Sequence, residues 1–256
     1  MGSLLGKRAL VTAGAQGIGL AISRHLLDAG CAVFVHYRSS ADAAHALVAE
    51  QAALGRRCRA ASADLTTPPG GDELVAAAVG FLGGLDILIN NAGSLVARRT
   101  LAEADDAFWT EVLALNVDSL RRVTRAAAPH LIAAGQNGGA SVVNLSSLAG
   151  RKGGHAGSLA YSTAKGAVLT FTRSLAGELG PHGVRVNALA PGLILGTSFH
   201  NTHTTAESAQ ATVAGIPLGR AGHANDIARA ATFLASEYDG FITGATLDIN
   251  GGVYAC

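Results

Sequence analysis

Charge is scarce in this 256-residue chain. Asp, Glu, Lys and Arg make up 14% of it, they balance to a formal +1, and no long acidic or basic block occurs. Nucleic acids and anionic membranes are held by concentrated cationic faces, so neither is expected as the main partner. Cysteine is limited to Cys31, Cys58 and Cys256, at spacings that suit neither a disulfide framework nor a metal clamp. Unpaired thiols fit a reducing, cytoplasmic setting, and no metal is expected. Of the nine histidines, His200 and His203 stand among Thr and Asn and read as surface or lid residues. No apolar run reaches the ~18 residues of a membrane-spanning helix, and the start of the chain lacks the pattern of a secretion signal. Gly6 stands where a myristoylation motif needs Ser or Thr, and Cys256 is the last residue, which leaves no prenylation box. Asn144-Leu145-Ser146 has the form of a glycosylation sequon but falls in a stretch that reads as a buried strand. Aromatics are 5% of the chain, yet hydrophobic residues are 49%. Alanine and 33 glycines carry much of that apolar count, which suits close packing of helices on a sheet.

Strand-like and helix-like stretches alternate. Strands are expected at Arg8 to Thr12, Ala32 to Tyr37, Arg59 to Asp64, Leu85 to Asn90, Ala140 to Leu145, Val184 to Leu189 and Ala245 to Ile249. Helical patterns occupy Ile18 to Ala29, Ala41 to Leu54, Ala104 to Ala134 as one long helix or two abutting ones with Pro129 a candidate break, and Leu159 to Leu179. The strands are continuous apolar runs, as in parallel sheets covered on both faces. A repeated βα unit implies right-handed crossovers, and thus an α/β, Rossmann-like, doubly wound sheet. No linker divides the chain, so residues 1–256 are expected to form a single domain. Pro68-Pro69-Gly70-Gly71 is the most loop-like stretch. Ligands of such sheets bind at the carboxyl ends of the strands. Gly14, Arg38, Asp64, Asn91, Ser147 and Pro191 each follow a predicted strand.

Two motifs carry chemistry. The first is Thr12-Ala13-Gly14-Ala15-Gln16-Gly17-Ile18-Gly19, a strand-to-helix turn. Its glycines at 14, 17 and 19 permit positive φ and bring backbone amides close to a pyrophosphate at a helix N-terminus. The second is Tyr161-Ser162-Thr163-Ala164-Lys165, which puts Tyr161 and Lys165 on one helix face. A free phenol has a pKa of ~10, and a neighbouring ammonium favours its ionised form. Such a pair can pass a proton to or from a carbonyl or alcohol oxygen. Upstream, Ser146-Ser147 ends a strand with hydroxyls that can bond that oxygen. After the second strand, His36-Tyr37-Arg38-Ser39 offers no carboxylate to a ribose. Arg38 instead presents a planar fork, and Ser39 a hydroxyl, to a 2′-phosphate. NADP(H) is therefore expected in preference to NAD(H), which stays possible.

From Lys7 to Gly252 these segments resemble the short-chain dehydrogenase/reductase family. Ala13 departs from the pattern, standing where the family's first glycine is usual. The resemblance implies seven parallel strands, hydride transfer and a homotetramer, whose forming end would be Phe241 to Gly252. It implies Ser147, Tyr161, Lys165 and Asn116 as catalytic residues, with Asn116 holding a water that links Lys165 to solvent. It implies cofactor contacts from the 12–19 turn, including Thr12, Gln16 and Ile18. Further contacts would come from Asp64 and Leu65, from Asn91, Ala92 and Gly93, and from Pro191, Gly192, Ile194 and Thr197. Residues 193–216, helical from Ala206 to Ala214, would close over the substrate.

Ser94, His155, Leu193 and His200 are candidate substrate contacts, and Arg98, Arg151, Lys152 and Asn201 add polarity around them. A sugar, a sugar acid or a small keto acid fits that lining. The sequence also looks like bacterial 3-oxoacyl-carrier-protein reductases, whose acidic carrier could meet Arg98-Arg99 and Arg121-Arg122. Three other readings compete. Ser162-x-x-Lys165 matches an acyl-transfer motif whose companion segments are missing. A nucleotide-binding scaffold would have no need of Ser147, Tyr161 and Lys165. A lyase or epimerase on this fold would show no net redox change.

Overall fold

The computed structural model describes residues 4–197, 202–236 and 240–255. Seven strands form one sheet: β1 (Arg8–Val11), β2 (Ala32–Tyr37), β3 (Cys58–Ser62), β4 (Ile87–Asn90), β5 (Ala140–Leu145), β6 (Val184–Pro191) and β7 (Thr246–Ile249). All are parallel, in the order β3-β2-β1-β4-β5-β6-β7. The chain reverses its direction of travel across the sheet between β1 and β4. That switch leaves a crevice at the carboxyl ends of the two strands, where the first motif lies.

Helices α1 (Gly17–Asp28), α2 (Ala41–Ala53), α3 (Pro68–Leu82), α4 (Asp106–Leu113), α5 (Ser119–Gly135), α6 (Leu148–Lys152), α7 (Leu159–Leu179), α8 (Ala206–Ala214) and α9 (Ala224–Ala235) complete the fold. Alternate strand residues sort into two cores. Ala9, Val11, Val33, Val35, Ile87 and Ile89 pack with Ile22 and Leu26 of α1 and Ile227 and Ala231 of α9. Leu10, Phe34, Leu88, Val142 and Val186 pack on the other face with Leu74 of α3, Val123 and Leu131 of α5, and Leu179 of α7. Both faces are covered, which is why the strands read as unbroken apolar runs.

Two expectations from the sequence are corrected, and one helix is added. Pro68-Pro69-Gly70-Gly71 begins α3 and is no loop. Proline suits a helix start because its missing N–H would have no partner there. The two glycines answer to close packing: a Cβ on Gly70 would lie 2.0 Å from the Asp64 carbonyl oxygen, and one on Gly71 would lie 3.0 Å from the Arg122 backbone of α5. The long pattern 104–134 is interrupted at a π-helical turn, Ala114–Asp118, while Pro129 sits inside an unbroken α5. Helix α9, whose apolar face covers α1, has no counterpart in the sequence reading. No helix among the described residues is long and apolar enough to cross a membrane.

Candidate active site

The turn after β1 is held from both sides. On the β4 side, the Thr12 hydroxyl accepts the Asn91 and Ala92 amides at 2.8 and 3.0 Å and donates to the Ile89 carbonyl. The Asn91 side-chain amide donates to the carbonyls of Thr12 and Ala13, both at 3.1 Å. Asn91 therefore braces the turn with its side chain. On the β2 side, the Ala13 and Gly14 amides donate to the Nδ1 and the carbonyl oxygen of His36. The glycines leave no spare room. A Cβ on Gly14 would lie 2.8 Å from the Ser23 hydroxyl, and one on Gly19 would lie 2.1 Å from the Ala13 carbonyl oxygen. Gln16 precedes α1 in extended conformation, Gly17 has φ 53°, and Ile18 follows, half-buried. The first amides of α1 lack intrahelical acceptors and open on the crevice.

Other predicted residues join this turn. Thr197 lies over it, with its Cβ 3.5 Å from where a Gly17 Cβ would be, and donates to the carbonyl of buried Ile194. Pro191 ends β6, and the Gly192 amide bonds Ile249 of β7. Arg38 and Ser39 are exposed just past β2. The carboxylate of Asp64 lies below its ordinary pKa, held there by the Thr66 hydroxyl and amide and, more weakly, by Arg38. Leu65 is buried behind it.

The second cluster lies past β5. Ser146 and Ser147 divide their work. The Ser146 hydroxyl is buried and donates to the Lys165 carbonyl at 2.8 Å, whereas Ser147 caps α6 and hydrogen-bonds Tyr161. Burial pushes the Tyr161 phenol up to about 12, with the Ser147 bond pulling the other way. Lys165 is 4% exposed, and burial pushes it down to about 8. Its Nζ donates to the Leu145 carbonyl at 2.8 Å and sits 5.7 Å from the centre of the Tyr161 ring. A phenol is protonated at neutral pH already at its ordinary value, and burial moves Tyr161 further from ionisation in the protein by itself.

Asn116 occupies the π-helical turn, fully buried. Its amide nitrogen donates to the carbonyls of Ser94 and Val112, and its oxygen accepts the Ser94 amide. A Cβ on Gly93 would lie 2.6 Å from the Asn116 oxygen and 2.9 Å from the Lys165 Nζ, so glycine alone lets these two side chains approach. Asn116 binds the strand-following segment at Ser94 by a two-way bond, a role additional to the expected water relay.

The candidate substrate contacts are less gathered. Ser94 lies beside Asn116, His155 is exposed, and Leu193 is half-buried with its carbonyl bonded by Gly222. His200 lies outside the described residues. Arg151 is a correction: its guanidinium pairs with Asp248 of β7 at 2.6 and 3.0 Å and lies over Tyr254, so it ties α6 to the sheet edge. Arg98 donates to the carbonyls of Ala156 and His203. The proposed carrier patch is broken up, since Arg99 faces the Phe108 ring, Arg121 pairs with Asp118, and Arg122 bonds the Leu65 and Thr66 carbonyls. Asn144 is fully buried and bonded to Asn90 and Thr172, which removes the apparent sequon from solvent. The sequence reading missed His36, and its only signal there was a polar residue inside an apolar strand. No His, Cys, Asp and Glu cluster among the described residues suits a metal.

A family model described as enoyl-(acyl carrier protein) reductase matches residues 12–254. Nodulation protein G of Azospirillum brasilense is 38% identical over 247 residues, covering 96% of this chain and 98% of its own. The 3-oxoacyl-[acyl-carrier-protein] reductase FabG of Vibrio cholerae serotype O1 is 34% identical over 252 residues, covering 98% and 99%. Among solved structures, a blue fluorescent protein from a metagenomic library, in complex with NADPH, superposes with a TM-score of 0.91 at 34% identity, covering 99% of this chain and 100% of its own. The NADH-dependent reductase A1-R′, responsible for alginate metabolism, superposes with a TM-score of 0.90 at 32% identity, covering 99% of each chain.

Proposed function

The chain belongs to the short-chain dehydrogenase/reductase family of oxidoreductases, and from that membership we propose that it is an NADP(H)-preferring reductase of a small ketone, reversible toward the secondary alcohol. The observation that carries this reading is the meeting of Ser147, Tyr161 and Lys165 beside the glycine turn. Positions 14, 19 and 93 have no space for a Cβ because Ser23, the Ala13 carbonyl, Asn116 and Lys165 fill it, so these glycines serve the packing that holds the turn, and the unpaired amides at the start of α1 suit a pyrophosphate. Gly14, Gln16, Gly17, Ile18 and Gly19 would hold the pyrophosphate of the dinucleotide, with buried Thr12 bracing the turn beneath them, and Arg38 and Ser39 would hold its 2′-phosphate. Asp64 and Leu65 would face the adenine, and Asn91, Ala92 and Gly93 would pass beneath the riboses. Pro191, Gly192, Ile194 and Thr197 would meet the carboxamide end. When bound, the nicotinamide supplies or accepts the hydride.

The chain's own residues handle the oxygen and its proton. Ser147 donates a hydrogen bond to the carbonyl oxygen, where negative charge develops. Tyr161, a phenol that stays protonated at neutral pH and that burial holds further from ionisation, gives that oxygen its proton. Lys165 lies near its own titration point and replenishes the phenol. Asn116 fixes the segment at Ser94 and supports the path to solvent.

The FabG relative makes a 3-oxoacyl thioester one substrate class, and the alginate-related reductase makes a sugar acid another. The exposed Leu247 on edge strand β7 and the fully exposed Phe241 suit a homotetramer buried at that end. The location is cytoplasmic on the thiol argument. Oxidation of NADPH and NADH against ketones, diketones, sugar acids and a 3-oxoacyl thioester tests the reading. Turnover with NADPH is expected. Tight NADPH binding with no turnover on any of them would count against it.

A further inference from the structure

Ala13 has φ 47°, the left-handed region that glycine enters freely and alanine does not. It opens the turn that would carry the pyrophosphate, so something must hold it there. The carbonyl oxygen of Ala13 is fixed by the Asn91 side chain, and Gly19 of α1 closes over it with no room to spare. The other half of the hold comes from one residue of β2. His36, 3% exposed, accepts the Ala13 amide on Nδ1 at 3.0 Å, and its carbonyl accepts the Gly14 amide at 2.8 Å. Its Nε2 lies 3.1 Å from the Ala63 carbonyl. An acceptor Nδ1 and a carbonyl opposite Nε2 allow one tautomer, the neutral ring with its proton on Nε2. Protonation of Nδ1 would set two donors against each other.

We propose that His36 is a positioning residue of the dinucleotide site, whose neutral imidazole keeps Ala13 left-handed and so aims the first amides of α1 into the crevice. This rests on the dinucleotide reading above. It also accounts for the departure at position 13: alanine stands at a left-handed position because an imidazole acceptor from the neighbouring strand compensates for the missing glycine. With glycine at 13, the imidazole would be dispensable.

The dependence on residue 13 supplies the test. NADPH dissociation constants would be measured by nicotinamide fluorescence for the parent, His36→Leu, His36→Asn, Ala13→Gly and the double variant Ala13→Gly/His36→Leu, each checked by thermal melting. Leucine, with no acceptor, is expected to weaken NADPH about tenfold, the scale of one lost hydrogen bond. Asparagine can place its Oδ1 near the site of Nδ1 and should keep most of the affinity. Ala13→Gly should restore most of what His36→Leu loses. Unchanged binding in His36→Leu, or an equal loss with glycine at 13, would overturn the proposal. Should His36→Leu fail to fold, the ¹⁵N shifts of the parent imidazole decide: the neutral Nε2–H form supports it, and an Nδ1–H form or an imidazolium at neutral pH overturns it. A parent that binds neither NADPH nor NADH would instead refute the function proposed above, and this inference with it.

Discussion

The glycine turn and helix α8 are built differently. The glycine turn is locked atom by atom, with Thr12, Asn91 and His36 taking up the polar groups of Thr12 through Gly14. In the segment expected to close over the substrate, α8 buries none of its residues, and a cap from Thr205 to the Ser208 amide holds its first turn. A helix without a buried face takes its stability from its surroundings. The locked side can recognise an invariant group through backbone, and the exposed side can change its side chains without disturbing the core. Cofactor and substrate are thus assigned to parts of the molecule with different tolerance.

The largest effect is expected at Tyr161. Tyr161→Phe should lower kcat by about 10²- to 10⁴-fold, the range for a general acid, while the NADPH dissociation constant stays near that of the parent. A matching loss of NADPH binding would make Tyr161 structural. On the locked side, Gly19→Ala puts a methyl 2.1 Å from a carbonyl oxygen. The overpacking should cost about 1–3 kcal/mol, read as a lower Tm together with weaker NADPH binding. At the rim of that side, Arg38→Glu should shift the NADPH to NADH preference by about 10- to 100-fold, as the loss of a charge-assisted contact implies. Comparable kcat/KM for both cofactors in the parent would remove Arg38 from that role.

Smaller effects come from pH and from the lid. Burial, opposed by the bond to Ala63 and by the Asp64 carboxylate beside Arg38, leaves His36 below its ordinary 6.5. Below pH 6.5 the unfolded chain binds a proton that the folded chain refuses. The stabilisation is therefore complete above that pH and declines as pH falls toward the folded value. Thermal melts of the parent and His36→Asn between pH 7 and 5 should show the parent losing more. Lys165 acts at the other end: turnover in the reductive direction should fall as pH rises past about 8. Least of all, Gln210→Ala on the exposed face of α8 should move stability by less than about 0.5 kcal/mol while altering KM among substrates. A large drop in Tm there would erase the distinction between the two sides.

The alternation of apolar strands with helical patterns, the glycine turn and the Tyr161–Lys165 spacing were open to reading in the chain, because each rests on local backbone geometry or on a period of two or of 3.6. Those signals settled the fold class and the family. What they left out depended on neighbours distant in sequence. The start of the helix over 68–82, Pro68 to Gly71, looked like a loop because Gly70 and Gly71 answer to Asp64 and to α5, not to helix propensity. Arg151 looked available to a substrate until Asp248, far along the chain, met it. The resemblance picked Ser147 over Ser146, but only the fold gives the reason: the Lys165 carbonyl takes one hydroxyl and Tyr161 the other. The upward shift of the Tyr161 phenol and the downward shift of the Lys165 amine follow from burial, which no spacing reveals. His36 and Ala13 are 23 residues apart, joined by the pairing of β1 with β2. Local sequence chose the elements, and the packing of distant segments decided which polar atoms were left free to act.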